Sequence, residues 1–161
     1  EVDETIIGDF DPMEHAEKEA QRKADTVANK HPGRYVLGAD TIVVYGDRIL
    51  GKPKDKADAF RMLTLLQGHA HEVYTGFCLI TPEGAEYLDF RCTRVWMAPM
   101  SPAQIHSYIA TNEPMDKAGS YGIQGRGAAM IERIDGCYFN VVGLPIHGVR
   151  MLLHKAGYPI E

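Results

Sequence analysis

A carboxylate inside an apolar segment is the first residue of this sequence whose type suggests chemistry. Asp40 lies in residues 35–45, a run of mostly apolar and β-branched side chains that predicts a buried strand. Burying an unpaired carboxylate costs several kcal/mol, so we expect Asp40 to lie at a strand end, to pair with a cation or to bind a metal. Two interpretations remain open: a turn-forming residue at a β-bulge, or a metal ligand or general base in a cleft.

Two lysines could supply positive charge to a phosphorylated ligand. Lys52 lies between Gly51, which lets a backbone approach a ligand closely, and Pro53, which restricts the loop. Lys23 projects from a helical pattern of core-facing alanines. Each lysine has a second interpretation: Lys52 could be a solvated loop residue, and the stem of Lys23 could pass along apolar neighbours to reach water.

An acidic pair and a glycine-rich segment are further candidates. Asp3 and Glu4 could supply oxygens to a hard divalent cation, although acid pairs of this kind are usually just solvated. Residues 119–127 include four glycines in nine positions, which predicts tight turns or close approach of a ligand to the main chain. Gln124 in this segment offers a donor and an acceptor for reading a base edge. The spacing matches neither a P-loop nor a dinucleotide fingerprint.

Helical and strand patterns alternate along the chain and must position these side chains. Apolar periodicity and capping residues predict helices over about 12–30, from Asp55 to Gly68, from Ser101 to about Ala110 and from near Pro145 to Gly157. Strand patterns cover 35–45, 48–50, 71–81 and 86–97, and a closing hairpin is expected over 128–134 and 137–142. We therefore predict an α/β fold, a two-lobed mixed-sheet domain that spans residues 1–161.

Composition and charge exclude several classes of protein. The 161 residues are 45% hydrophobic and 24% charged, which is ordinary globular usage, and the net charge of −5 comes with no basic stripe. Bulk nucleic acid is therefore not an expected partner, and no apolar run approaches the ~20 residues of a membrane span. Three cysteines without metal-ligand spacing favour a reducing, cytoplasmic location, and we interpret His69 and His71 as turn histidines.

An ordered set of segments carries a resemblance to a known family. Taken together, they resemble the Maf family, the septum-formation-associated nucleoside triphosphate pyrophosphatases. The match runs in order along nearly the whole chain. Its segments are residues 2–4, 23–24, 38–43, 51–53, 71–76, 116–119, 121–125 and 140–145.

The resemblance implies a fold, a reaction and a site. The implied fold has a central cleft similar to that of inosine triphosphate pyrophosphatases. The implied reaction is hydrolysis between the α and β phosphates of a nucleoside triphosphate, with a divalent cation, Mg²⁺ or Mn²⁺. Asp40 stands where the family has its proton acceptor, and Glu4, Lys23 and Lys52 match its other polar cleft positions, with Glu4 and Asp40 expected to hold the metal. Thr41 and Gln124 resemble the branch acting on dTTP and UTP, and a homodimer is a further expectation.

The beginning of the sequence departs from the family pattern. The family opens with a strand and a Ser-rich, double-arginine loop ahead of the segment at residues 2–4, whereas this sequence starts at Glu1. We expect residues upstream to be missing and the domain to be N-terminally truncated. The alternative hypothesis is a nucleotide-binding regulator of septum formation with little or no turnover.

Overall fold

The computed structural model describes residues 5–6 and 11–160. Its strands are β1 (Thr5–Ile6), β2 (Val36–Tyr45), β3 (Arg48–Leu50), β4 (Ala70–Ile80), β5 (Glu86–Met97) and β6 (Ile131–Asp135). Its helices are α1 (Pro12–Lys30), α2 (Lys56–Leu66), α3 (Pro102–Ile109), α4 (Tyr138–Val142) and α5 (Ile146–Lys155). Three short 3-10 turns follow α3, at Glu113–Asp116, Ala118–Ser120 and Gly125–Met130.

One sheet of six strands organises the molecule, in the order β1-β3-β2-β4-β5-β6. The expected α/β class is confirmed, as is the long hairpin of β4 and β5. Every ladder in the described part of the chain is antiparallel, so the parallel pairing that a mixed sheet would include is not found there. Short turns explain the antiparallel order of β2 with β3 and of β4 with β5, because a tight turn joins neighbouring strands only in that order.

Helix α1 covers one face of the sheet. Asp11 begins the helix, since its side chain accepts a hydrogen bond from the backbone N–H of Met13 at 2.9 Å. The small side chains of Ala16, Ala20 and Ala24 are fully buried against the sheet. Gly38 in β2 lets the helix approach closely, because a Cβ there would lie 2.6 Å from the carbonyl oxygen of Ala20. Helix α1 therefore rests almost directly on the strand backbone.

Two hydrophobic clusters cover the opposite face and form the two lobes. Helices α2 and α3 pack on one part of the sheet through Leu63, Leu66 and Ile105. Helix α5 packs on the other part, where Val149 and Leu152 meet the sheet. Along β4, Val73 belongs to the first cluster and Phe77 to the second, and the polar Thr75 lies between them. Thr75 therefore lies at the boundary between the two packed regions.

The predicted closing hairpin is wrong in its second half. Strand β6 does form, but it pairs with β5, and residues 138–142 form the short helix α4. A short apolar run cannot be assigned to strand or helix by periodicity alone. The buried side chain of Asn140 favours the helix, because its amide donates to the carbonyl of Val73 at 3.1 Å and to Oγ1 of Thr93 at 2.8 Å.

Candidate active site

A cleft opens beside the exposed edge of β2. The cleft consists of two adjoining cavities, one of about 280 Å³ and one of about 430 Å³. Among the described residues, β3 pairs with β2 only at Val43, Val44 and Tyr45, so the edge before them faces the cleft. Both cavities are lined by Lys23, Asp40, Thr41, Lys52 and Ala118.

Asp40 lies in the middle of β2 and not at a strand end. It pairs with Gly76 of β4 in uninterrupted register, so the β-bulge interpretation is wrong. The expected cationic partner is present: Nζ of Lys23 lies 2.6 Å from Oδ1 of Asp40. Within the described residues, Oδ2 of Asp40 is buried and has no hydrogen-bond partner. The site thus holds a carboxylate with one oxygen restrained and the other uncommitted.

Lys23 reaches Asp40 from the last part of helix α1. Its side chain is 47% exposed, whereas that of Asp40 is 12% exposed, so the ammonium remains in contact with solvent. Nζ also lies 3.4 Å from the carbonyl oxygen of Ala39. The close approach of α1 to the sheet puts an exposed lysine within reach of a strand carboxylate. Of the two interpretations of Lys23, the structure shows a lysine that meets a polar partner while its ammonium stays exposed.

Lys52 faces the same cleft from the loop after β3. The carbonyl of Gly51 accepts a hydrogen bond from the backbone N–H of Gly119 at 3.1 Å, which ties this loop to the 3-10 turn Ala118–Ser120. A second cation of the cleft, Lys117, was not singled out in the sequence. Its Nζ lies 2.8 Å from Oδ1 of Asp116, and its signal in the sequence was its place in segment 116–119, one of the segments that carry the family resemblance. Lys52 and Lys117 thus both line the cleft, in addition to Lys23 of helix α1.

Thr41 and Gln124 line the same cavity but differ in their hydrogen bonding. Oγ1 of Thr41 lies 2.8 Å from Oγ1 of Thr75 and 3.4 Å from the carbonyl oxygen of Gly143. The hydroxyl of Thr41 is therefore engaged in hydrogen bonds within the protein. Gln124 is exposed, and its amide makes no hydrogen bond to the rest of the described chain. Glu4 and its neighbour Asp3 lie outside the described residues.

A buried histidine supports the wall of the cavity. His71 lies in β4 and not in a turn, and its Nε2 is 2.6 Å from the hydroxyl of Tyr121. Burial lowers the pKa of His71 to about 4, so the imidazole is neutral near pH 7. Tyr121 lines the cavity directly ahead of Gly122 and Gln124. The expectation of a turn histidine was wrong because the strand begins at Ala70, one residue before His71.

The described residues include no helix with the length and apolarity of a membrane span.

All three cysteines are free, and burial raises the pKa of Cys78 to about 12. A thiol with so high a pKa carries almost no thiolate near pH 7. Cys78 therefore has no nucleophilic character.

Comparison with known proteins matches this chain to one family. The family model described as "Maf-like protein" matches residues 1–156. A protein of Symbiobacterium thermophilum named dTTP/UTP pyrophosphatase is 50% identical over 160 residues, which are 99% of this chain and 82% of that protein.

Two further relatives carry the same name. The protein of Koribacter versatilis is 50% identical over 156 residues, which cover 97% of this chain and 80% of the relative. That of Syntrophomonas wolfei is 48% identical over 158 residues, with coverages of 98% and 84%. The resemblance seen in the ordered sequence segments is confirmed by these matches. The chain belongs to the Maf family.

Proposed function

We propose that this protein hydrolyses nucleoside triphosphates between the α and β phosphates, with dTTP and UTP as preferred substrates, and releases the monophosphate and pyrophosphate. The observation that carries the proposal is Asp40, a mostly buried strand carboxylate that lines a cleft together with Lys23 and Lys52. The names of the relatives support the same reaction and the same substrates.

Asp40 acts as the proton acceptor in this proposal. Lys23 holds Oδ1 of Asp40 at the cleft, and this oxygen keeps a second lone pair that can accept a hydrogen bond from the attacking water. Phosphoryl transfer needs a nucleophile held in line with the bond that breaks. A restrained carboxylate orients such a water and removes its proton as the bond to phosphorus forms.

A divalent cation, Mg²⁺ or Mn²⁺, fits beside Asp40. No group of three or more His, Cys, Asp or Glu side chains suited to a metal occurs in the described ranges. The unpartnered Oδ2 of Asp40 can supply one carboxylate oxygen, and Mg²⁺ commonly binds through one or two carboxylates together with waters and substrate phosphates. When bound, such a cation neutralises charge that develops on the phosphate oxygens. Glu4 stays a prediction as the second ligand.

The lysines bind the triphosphate. Lys23 lines the cavity from helix α1, and Lys52 and Lys117 line it from two loops. Ammonium groups around a phosphate chain offset its negative charge and stabilise the departing pyrophosphate. These local cations explain how a chain with a net charge of −5 can bind a polyanion.

Gln124 reads the base in this proposal. Its amide can donate to O4 of uracil or thymine and accept from N3–H, a pattern that cytosine reverses. Thr41 shapes the same cavity, because its hydroxyl is held by Thr75 and Gly143.

A cytoplasmic location and a homodimer remain predictions, the former supported by three free cysteines.

Product analysis with single variants tests the proposal. The protein is incubated with dTTP, UTP, CTP or 7-methyl-GTP and Mg²⁺ or Mn²⁺, and pyrophosphate, orthophosphate and monophosphate are measured. We expect pyrophosphate from dTTP and UTP, and a fall in kcat of roughly 10²- to 10⁴-fold in Asp40→Asn with dTTP binding retained. Release of orthophosphate in place of pyrophosphate would exclude the mechanism.

A matched pair of lysine variants separates the site from the helix surface. Lys23→Met removes the partner of Asp40, whereas Lys18→Met removes an exposed lysine of the same helix that does not line the cleft. We expect at least a tenfold loss of kcat in the first variant and none in the second. Binding of dTTP without turnover by the unmodified protein would instead favour the septum-formation regulator.

A further inference from the structure

Main-chain hydrogen bonds anchor both ends of the segment that carries Gln124. We call residues 122–127 the Gln124 loop. Gly122 and Gln124 line the cavity, and the chain then turns into the 3-10 turn Gly125–Met130. The amide of Gln124 has no hydrogen-bond partner elsewhere in the described chain. Its position therefore depends on whatever fixes the backbone on either side of it.

Glu113 fixes the end of the Gln124 loop. Its Oε1 accepts a hydrogen bond from the backbone N–H of Arg126 at 2.9 Å, and its Oε2 accepts one from Gly127 at 2.9 Å. Burial raises the pKa of Glu113, but hydrogen bonds from Tyr108, Arg126 and Gly127 outweigh burial and lower it below the ordinary value. The carboxylate is therefore ionised and makes charge-assisted hydrogen bonds, which are the stronger kind.

Tyr108 fixes the beginning of the same loop. Its hydroxyl donates to Oε2 of Glu113 at 2.5 Å and accepts a hydrogen bond from the backbone N–H of Gly122 at 3.1 Å. The ring belongs to helix α3 and is 6% exposed within the core cluster under that helix. One phenol and one carboxylate thus connect both ends of the Gln124 loop to a packed helix.

Two glycines of the loop are required by this arrangement. A Cβ at Gly125 would collide with Oε1 of Glu113, and a Cβ at Gly127 would collide with the carbonyl oxygen of Gly122. Gly125 also has a φ of +64°, a conformation that other residues adopt only with strain. The loop backbone is therefore packed directly against the carboxylate that binds it.

We propose that Glu113 and Tyr108 are positioning residues for base recognition, which hold Gln124 in the one place where its amide distinguishes uracil and thymine from cytosine. The inference rests on the proposed role of Gln124 as base reader. A glutamine carries both donors and an acceptor, so a mobile side chain can satisfy either pyrimidine and discriminates poorly. Neither Glu113 nor Tyr108 lines the cavity beside Asp40, so the phosphate chemistry does not depend on them directly.

The test compares kcat/KM for dTTP and CTP in Glu113→Gln, Tyr108→Phe and Gln124→Ala. Both positioning variants are expected to lower the dTTP-to-CTP ratio by about tenfold or more, with the value for CTP changing less than about threefold. Adding Glu113→Gln to Gln124→Ala should lower the ratio no further, because the two residues act through one interaction. Glu132→Gln and Tyr158→Phe, at exposed positions away from the loop, are the matched controls and should leave the ratio unchanged.

The outcomes separate this inference from the proposed function. Equal losses for dTTP and CTP would assign Glu113 and Tyr108 a merely structural role and overturn the inference. A lowered ratio in Gln124→Ala alone would overturn it too, while leaving Gln124 as base reader. An unchanged ratio in Gln124→Ala would overturn the base-reading role itself and the inference with it.

Amide hydrogen exchange gives a second readout that does not depend on activity. In Tyr108→Phe, which keeps the ring and removes only the hydroxyl, we expect faster exchange at Gly122 than in the unmodified protein. In Glu113→Gln, where an NH₂ group replaces one of the two acceptor oxygens, we expect faster exchange at Arg126 or at Gly127. Unchanged protection of all three amides would overturn the inference, even if one of the variants were too unstable for kinetics.

Discussion

The ion pair of Lys23 and Asp40 illustrates how a single contact can serve a site without stabilising the fold. A pair with one partner 47% exposed contributes little to folding, because water screens the attraction and the lysine loses side-chain entropy. Its effect on the orientation of Asp40 is larger, since that carboxylate is mostly buried and one of its oxygens is held 2.6 Å from Nζ of Lys23. The contact therefore belongs to the chemistry of the cleft more than to stability.

His71 leads to a prediction for stability against pH. Burial lowers its pKa from 6.5 to about 4, so the unfolded chain takes up a proton between these values and the folded chain does not. The contribution of neutral His71 to the free energy of unfolding is fully present above pH 6.5 and is lost as the pH falls toward 4. Between pH 7 and 4.5, the free energy of unfolding should fall by about 2 to 3 kcal/mol more in the unmodified protein than in His71→Gln.

Urea denaturation at several pH values measures this difference. Gln cannot take up a proton in this range but can still hydrogen-bond the hydroxyl of Tyr121. The contributions of all other acid-sensitive groups are the same in both proteins and cancel in the comparison. His31→Gln, at an exposed position after helix α1, is the control and should follow the unmodified protein. Parallel pH profiles for the unmodified protein and His71→Gln would contradict the assigned burial effect.

Among the elements, helix α1 and strands β2 and β4 form the support of the site. The helix packs on Gly38 and Gly76 through its buried alanines, and the same packing brings Lys23 to Asp40. Larger side chains at either glycine would push the helix away from the sheet. The distance between helix and sheet is thus a structural requirement of the candidate site.

Gly76→Ala tests this requirement. A Cβ at this position would overlap the backbone of Ala16 and Glu17, which cannot yield as a flexible side chain would. We expect a loss of about 3 kcal/mol in the free energy of unfolding, together with reduced turnover of dTTP because Lys23 moves. The measurements are urea denaturation and release of pyrophosphate.

Gly46→Ala is the matched control for this prediction. Gly46 lies in the turn between β2 and β3 with a φ of +60° and open space around its would-be Cβ. Alanine there should cost only about 1 kcal/mol through backbone strain and leave turnover intact. Equal destabilisation by the two substitutions would show that helix packing is not what Gly76 provides.

At the scale of the whole molecule, a buried polar seam joins the two lobes across the sheet. Thr41, Thr75 and Thr93 lie on the face between the two hydrophobic clusters, and fully buried Asn140 connects helix α4 to them. The next residues, Val141 to Gly143, line the cleft. The seam therefore determines where one wall of the candidate site lies.

Asn140→Ala should destabilise the molecule by about 3 kcal/mol. The substitution removes the two hydrogen bonds that Asn140 donates, to the carbonyl of Val73 and to Oγ1 of Thr93, and creates a small cavity. Thermal and urea denaturation measure the loss, and Asn29→Ala, at an exposed position in α1, should cost less than about 0.5 kcal/mol. An Asn140→Ala protein as stable as the unmodified one would show that the seam does not hold the lobes together.

Local patterns in the sequence were sufficient for most elements of this fold and for the family. Helices α1, α2, α3 and α5 and the hairpin of β4 and β5 were predicted from capping residues and periodicity, which depend on neighbours along the chain. Residue type and sequence neighbours were also sufficient to select Asp40, Lys23 and Lys52 as candidate site residues. These features are readable because each depends on only a few consecutive residues.

Only the tertiary structure decided which of these residues meet. Lys23 and Asp40 are 17 positions apart and come together because α1 packs on glycines of two strands. Helix α4 replaces a predicted strand because Asn140 bonds with strands that lie 47 and 67 positions away along the chain. Contacts between distant segments depend on strand register and helix packing, which the composition of a short segment does not encode.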